Sequence, residues 1–563
     1  MPWRRGDNNH GHTHPTFAVR FTRDEAQAQP RGQPVLVSAS QVERDILSRA
    51  IGLLPPLFHL AIIPGFGRIA HRGMLTHPLT MQLKQLIENL PDATVEGPVD
   101  REVAGITYDS RRVTPGMVFI AIPGQHVDGH EFIGTAVERG ASAVICERSR
   151  LVPGRVTKIH VDDVREAMAC AARFYYQHPS AKLKVIGVTG TNGKTTTVGM
   201  LRHLLDDTVE RSASIGTLGV LVGSAGTTFD GGNGLTTPGP VELQRVLRAL
   251  VDGGVRTVAM EASSHALHQG RLDGLRFEAG VFTNLTRDHL DYHVTMDAYR
   301  EAKSMLVSLL APDGAAVVNA DDPAWQSLPR SPRLVRFGLE GDADVRAEDV
   351  QYTPRGSTWT LAIGVARHAV RLPLIGDFNV ANALAAAAAA WAMGFAVAEI
   401  AQRLSTVPQI PGRLEIVNDR PTVLRDYSHT PDSLERALAA VRPFTRGNLI
   451  VVFGCGGDRD TGKRPEMGRI AQRDADCAIV TSDNPRTEDP EKILDDIETG
   501  MQGPHVRIED RRDAIARALA LAGEHDVIVL AGKGHETYQI RGTEKLPFDE
   551  REIVRELVTE RVG

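Results

Sequence analysis

Apolar residues recur along most of the chain in short blocks, each running into glycine or a charged turn, with amphipathic stretches between them. Short buried strands that alternate with helices build parallel sheets covered on both faces, so the pattern predicts an α/β protein. Between about 82 and 178, strands are expected at 103–108, 117–122, 143–146 and 158–161, and helices at 131–139 and from a cap at Asp162 or Asp163 to Tyr176. His178-Pro179-Ser180 reads as a linker. A second region, to about 410, has strands at 183–188, 257–260, 279–283 and 317–319, then an alanine-rich helix at 383–390 whose small side chains suit close packing. Pro411-Gly412-Arg413 marks another boundary. Beyond it, strands at 423–425, 449–453, 478–481 and 527–531 predict a doubly wound sheet with a polar rim. The expected plan is an extension (1–81) followed by three domains, 82–178, 179–410 and 411–563.

The extension carries no periodic apolar face. His10, His12 and His14 could bind metal, but the composition around them favours disorder. Met74 and Met81 precede the regular pattern, and either is a candidate for the true start of translation. The apolar stretch 51–70 is interrupted by Pro55, Pro56, Pro64 and Arg68, which argues against a membrane span.

Composition narrows the function classes. With 42% hydrophobic and 24% charged residues and a formal net charge of -6, the chain reads as a globular protein with no electrostatic reason to bind nucleic acid. Cys146, Cys170, Cys455 and Cys477 are widely spaced, which suits neither a disulfide framework nor a zinc site. A cytoplasmic monomer is expected.

The chemistry centres on Leu183 to Thr197, LKVIGVTGTNGKTTT. An apolar strand enters a loop with glycines at 190 and 193 and then a helix, so backbone N–H groups and the helix dipole converge on an anion. The spacing departs from the strict phosphate-loop pattern, since Val188 stands where the first glycine belongs, yet the strand-loop-helix context favours nucleotide binding. Lys194 would reach the β/γ-phosphates and Thr195 would offer its hydroxyl to Mg²⁺. Glu261 and His289 end later strands and are candidate Mg²⁺ ligands, because ligands of open α/β sheets sit at the carboxyl ends of strands. Two polar loops, Tyr108-Asp109-Ser110-Arg111 and Gly124-Gln125-His126-Val127-Asp128-Gly129, suit a substrate handle and equally suit surface turns. Gly454-Cys455-Gly456-Gly457 falls short of a dinucleotide fingerprint because position 459 is arginine.

Taken together, GVTGTNGKTTT, TTP, EASSHALHQGR, FTNLTRDHLDYH, YREAK, NADD, DYSHTPDSL, FGCGGDRDTGKRP, DNPR and AGKGHE resemble, in this order, the Mur ligases over about residues 82–560. The resemblance implies a UDP-sugar domain, a central phosphate-loop ATPase domain and a Rossmann-like C-terminal domain that brings the amino acid. Tyr108, Ser110, Gln125, His126 and Val127 would hold the UDP-muramoyl end, and Leu235, Thr236, Thr237, Ser263, Gln269 and Arg271 its peptide. Gly190, Thr191, Asn192, Gly193, Lys194, Thr195 and Thr196 would hold ATP, with Asn319 and Asn382 near the nucleoside. Thr195, Glu261 and His289 would serve Mg²⁺. It further implies that CO₂ converts Lys303 to a carbamate, an oxygen-rich anion able to orient a second Mg²⁺; Lys194, Lys303 and His289 become the catalytic set. Leu235 departs from an asparagine found in some relatives, which leaves that contact open, and Ser428 replaces a commoner alanine.

The implied reaction is an ATP-dependent amide ligation on the D-Glu γ-carboxylate of UDP-MurNAc-L-Ala-D-Glu through an acyl phosphate, a step of peptidoglycan precursor synthesis. Charge selects the incoming amino acid. Diaminopimelate carries a carboxylate on its far carbon where lysine has none, and arginine reads carboxylates in a bidentate way. Arg486 of Asp483-Asn484-Pro485-Arg486 and Arg459 can meet carboxylates, and Glu536, beyond Gly532, an ammonium. The sequence therefore predicts meso-diaminopimelate, with L-lysine as the alternative. A switch or motor ATPase making no amide is the rival class, and a folate polyglutamate ligase relative would not bring DNPR.

Overall fold

The computed structural model describes residues 79–562 apart from 125–126, 148–151, 153, 155 and 233. The histidines at 10–14, Met74, Gln125 and His126 therefore lie outside the described residues. Among those described, no helix is long and apolar enough to cross a membrane.

Three large sheets follow one another along the chain. The first has five strands in the order Thr94–Glu96, Thr157–Val161, Ala143–Glu147, Met117–Ile120 and Gly105–Thr107, parallel except for its first pair. The helix Val164–Tyr175, whose cap Asp163 accepts N–H bonds from Arg165 and Glu166, covers it with an apolar face that includes Val164, Met168 and Tyr175.

The middle sheet has eleven strands, and Lys184–Thr189 lies inside it between Val255–Glu261 and Phe277–Phe282, both parallel to it. Burial on both faces from Val185 onward explains why it reads as an apolar run. Gly187 is needed there, since a Cβ would lie 2.9 Å from the Phe277 ring. At the far edge, Val345–Thr353, Gly356–Ile363 and Ala366–Leu372 form antiparallel hairpins, an extension the sequence reading does not anticipate. The helix Lys194–Leu204 packs on Asp377–Ala392, whose run from Ala383 to Ala390 is fully buried, so the alanines serve close helix packing.

The last sheet has six strands: Glu415–Asp419, Thr422–Asp426, Val527–Ala531, Leu449–Phe453, Cys477–Val480 and Val506–Arg507. Only its first pair is antiparallel. The loops 427–430, 454–460, 481–486 and 532–536 therefore emerge from one edge, where open sheets collect ligands. A hairpin, Tyr538–Arg541 with Glu544–Pro547, docks against that edge: Arg486 N–H donates to Ile540 O and Gly542 N–H to Arg486 O, at 3.1 and 2.7 Å.

Candidate active site

The helix that begins at Lys194 has Gly193 as its cap and no capping side chain, which leaves its first N–H groups open to an anion. Gly190 and Gly193 both adopt positive φ, and added Cβ atoms would lie 1.9 Å from Thr283 Oγ1 and 2.3 Å from Asn382 Oδ1. Only glycine fits either position. Lys194 Nζ folds back to donate to Gly190 O and Thr191 O at 2.9 and 2.7 Å. Thr195 Oγ1 donates to Glu261 Oε1 at 3.0 Å, and Glu261 also accepts from Thr217 N–H and Oγ1. This cluster opens into a cavity of about 790 Å³ that Asn319, Asn382 and His289 also line.

The structure brings Lys303 into the same cluster although it sits on a helix, Met296–Ser304, where a lone lysine would ordinarily be solvated. Its Nζ is buried, donates to Gly190 O at 2.7 Å and lies 4.3 Å from the centre of the Tyr299 ring. Burial and the neighbouring Lys194 push its amine well below the usual lysine range. Burial also lowers Lys194, against the pull of Glu261 and Asp288.

His289 stands apart from the Thr195–Glu261 pair in its hydrogen bonding. It is exposed, left-handed at φ 53°, and its neighbours are Asp288 at 3.5 Å and the rings of His265 and Tyr299. Among the described residues no group of three or more His, Cys, Asp and Glu side chains is gathered around a metal position. The Thr195 hydroxyl beside the Glu261 carboxylate nevertheless fits Mg²⁺, an ion that prefers oxygen and takes most of its ligands from phosphate and water.

The peptide-end candidates form one network. Thr237 Oγ1 donates to Glu261 O and to Ser263 Oγ, at 2.7 and 3.2 Å. Arg271 donates to Thr237 O and Gln269 Oε1, and Gln269 Nε2 to Tyr292 OH. Thr236 Oγ1 lies 3.4 Å from Thr217 Oγ1, and Leu235 is half exposed nearby in sequence. Tyr108 approaches this face, with its hydroxyl 3.0 Å from the position a Cβ on Gly239 would take. Ser110 is buried in a short turn capped by Asp109, whereas Val127 is exposed at the tip of its loop.

At the C-terminal sheet edge, Arg486 is again left-handed, φ 53°, and one guanidinium nitrogen donates to Gly457 O at 2.7 Å. A Cβ on Gly456 would lie 2.8 Å from Arg486 Nη1, and Cβ atoms on Gly454 and Gly457 would meet Thr481 O and Pro485 O at 2.0 and 1.9 Å, so the glycines let this loop pack against the 481–486 segment. Gly532 is fixed similarly, since its Cβ would meet Asp483 Oδ2 at 2.3 Å. Asp483, Asn484 and Pro485 are buried, Asn484 bonds Glu536, and Arg459 stays exposed.

Sequence reasoning missed two residues. Arg413, read only as part of a boundary, donates to Thr195 Oγ1 at 3.0 Å and lies 4.9 Å from the Tyr427 ring, so it adds a cation to the phosphate-loop cluster. Asp432, at the start of the helix Pro431–Val441, accepts from Asn192 Nδ2 at 2.8 Å and from Thr286 Oγ1 at 3.4 Å. It thereby ties the last sheet's side of the cavity to the phosphate loop. Asp432→Ala is expected to raise the KM for ATP about three- to tenfold, the net cost of losing one hydrogen bond to the phosphate loop, in a steady-state titration. An unchanged KM would show that this bond does not bear on the nucleotide.

Patterns for the Mur ligase family, catalytic domain, the Mur ligase middle domain and the Mur ligase glutamate ligase domain match residues 102–176, 188–390 and 412–534. A UDP-N-acetylmuramoyl-L-alanyl-D-glutamate–2,6-diaminopimelate ligase of Geobacillus kaustophilus is 45% identical over 85% of this chain and all of its own length. The chain belongs to the Mur ligase family. A ligase of the same name from Gloeobacter violaceus is 46% identical over 87% of this chain and 99% of its own. A solved structure of a ligase so named matches at a TM-score of 0.61 with 35% identity, over 86% of this chain and all of that one. The fold is that of a three-lobed Mur ligase, and the chain is a ligase. A MurF ligase from Thermotoga maritima in complex with ADP, 20% identical with a TM-score of 0.58, shares the fold.

Three histidines around this Mur ligase site are held far below their usual range. Burial lowers His265, His293 and His535 from 6.5 to about 4. Between those values the unfolded chain binds protons that the folded chain refuses, so stability must fall as pH falls from about 6.5 towards 4. Thermal unfolding at pH 7.5 and pH 5 is expected to show a lower Tm at pH 5, and His265→Gln with His293→Gln should shrink that difference.

Proposed function

We propose that this Mur ligase adds meso-diaminopimelate to the D-Glu γ-carboxylate of UDP-MurNAc-L-Ala-D-Glu at the expense of ATP. The observation that carries the reading is the gathering of Lys194, Arg413, Thr195, Glu261 and Lys303 around one phosphate loop. The names borne by relatives of high identity over nearly their whole length support the substrates. The three lobes, 82–178, 179–410 and 411–563, would hold the UDP-sugar, ATP and the amino acid in turn.

Both reacting groups are anions, and catalysis is mainly the offsetting of their repulsion. The γ-carboxylate attacks the γ-phosphate, giving an acyl phosphate and releasing ADP. The amine of the incoming amino acid then displaces inorganic phosphate and sheds a proton. Lys194 and Arg413 hold the phosphates, while Thr236, Thr237, Ser263, Gln269 and Arg271 orient the dipeptide. Thr195 and Glu261, with His289, would hold Mg²⁺, which supplies further charge neutralisation. Burial and the neighbouring Lys194 disfavour the ammonium form of Lys303, and its amine form would add CO₂, releasing a proton and leaving a carbamate anion that Lys194 attracts. Asn319 and Asn382 border the nucleoside, and Arg486, Arg459, Asn484 and Glu536 receive the zwitterionic end of diaminopimelate.

A coupled assay of ADP release, with the UDP-dipeptide or the amino acid omitted in turn, tests the reading. ADP formation should require the UDP-dipeptide and turn over continuously only with the amino acid present. Hydrolysis indifferent to both would favour a switch or motor ATPase.

A further inference from the structure

Lys533 has no solvent exposure, although it sits in the loop that also carries Glu536. Its Nζ donates to Asn484 Oδ1 and to Glu536 Oε2, both at 3.1 Å. Asn484 Nδ2 donates to the same Glu536 oxygen at 2.9 Å, and Ile540 N–H to Asn484 Oδ1 at 2.9 Å. The rings of Tyr538 and Phe548 stand 5.9 Å from the ammonium and close the space around it. A closed triangle of side chains results, in which Lys533 touches the two residues that face the proposed amino-acid site while remaining behind them.

Two physical consequences follow. Long side chains on a loop have many rotamers, and the triangle removes that freedom from Glu536 and Asn484 before any ligand arrives. The second consequence concerns charge. A solitary Glu536 would present a full negative charge at the same sheet edge as Arg486, and an ammonium-ended side chain would profit from it as much as a zwitterionic one. Paired with Lys533, the carboxylate belongs to a formally neutral couple, so it attracts a lone ammonium less than an unpaired Glu536 would. A ligand end carrying both ammonium and carboxylate can use Glu536 and Arg486 together; an end carrying ammonium alone gains little from the neutralised couple and leaves Arg486 without an anion.

We propose that Lys533 is a positioning and specificity-determining residue of the ligase, acting through Glu536 and Asn484 to favour a zwitterionic side-chain end over a purely cationic one. This rests on the assignment of the 483–486 loop to the amino acid. A purely structural lysine would be replaceable by a buried apolar side chain with effects on stability alone, since buried ion pairs are weak stabilisers compared with apolar packing.

Lys533→Met, Glu536→Gln and the double variant distinguish the two. Initial rates with diaminopimelate and with L-lysine, and ATP affinity by calorimetry, are measured on each and on the wild type. Lys533→Met should raise the KM for diaminopimelate about tenfold, the cost of one lost charged hydrogen bond, and shift the kcat/KM ratio towards lysine. ATP affinity should stay within about twofold. The double variant buries no unpaired charge, so it remains measurable if Lys533→Met does not fold; it should lose less than the product of the two single losses, or, against Glu536→Gln alone, show little further change. A Lys533→Met enzyme with the wild-type KM and wild-type preference overturns the role of Lys533. So does a double variant that loses diaminopimelate use and ATP binding alike. A wild type that uses neither amino acid overturns the underlying assignment instead.

Discussion

Lys194→Met is expected to lower kcat/KM by about 100- to 1,000-fold, the usual consequence of removing one preorganised donor to developing charge. Methionine retains the apolar stem and the helix start, so the effect isolates the ammonium. In the structure that ammonium rests on the carbonyls of Gly190 and Thr191 and shares Gly190 O with Lys303. Gly190 O keeps Lys303 as a donor in the variant, so the Tm should stay close to that of the wild type. Single-turnover formation of ADP separates this loss from any change in product release. A variant retaining more than a tenth of wild-type activity would remove Lys194 from the reaction.

Arg486→Ala should cost about 100-fold or more in kcat/KM for diaminopimelate, because the far carboxylate of the ligand would enter the site without its charged partner. ATP affinity should be unchanged, since Arg486 is held on the far loop by Gly457 O and by the backbone of Ile540 and Gly542. Arg486→Lys keeps the charge but loses the planar fork, and it should fall between alanine and wild type. Equal losses for diaminopimelate and ATP would mean that the substitution had merely disturbed the left-handed turn at this position.

Much of the architecture was legible because the strands under the site are buried on both faces and so appear as apolar runs, as at 185–188 and Leu449–Phe453. The edge hairpins from Val345 to Leu372 were harder to see: their alternating exposed and buried residues blend into ordinary polar sequence. The phosphate loop announced itself through glycines whose positive φ only glycine tolerates. Lys303 had no local signal at all, since a helical lysine is ordinarily solvated, and only the family resemblance pointed to it. Arg413 and Asp432 escaped for a related reason. Each acts on the phosphate loop from more than 200 residues away in sequence, and no spacing along the chain encodes that meeting. Lys533 was hidden by its neighbours, reading as one polar residue in a charged turn until its burial was visible.

Mass analysis of the product formed from ATP, UDP-MurNAc-L-Ala-D-Glu and an equimolar mixture of meso-diaminopimelate and L-lysine tests the central claim most directly. The account predicts one dominant new species, the UDP-dipeptide extended by diaminopimelate with loss of water, in step with ADP and phosphate. A product extended mainly by lysine would contradict the reading of Arg486, and ADP accumulating with no extended nucleotide would contradict the ligase chemistry itself.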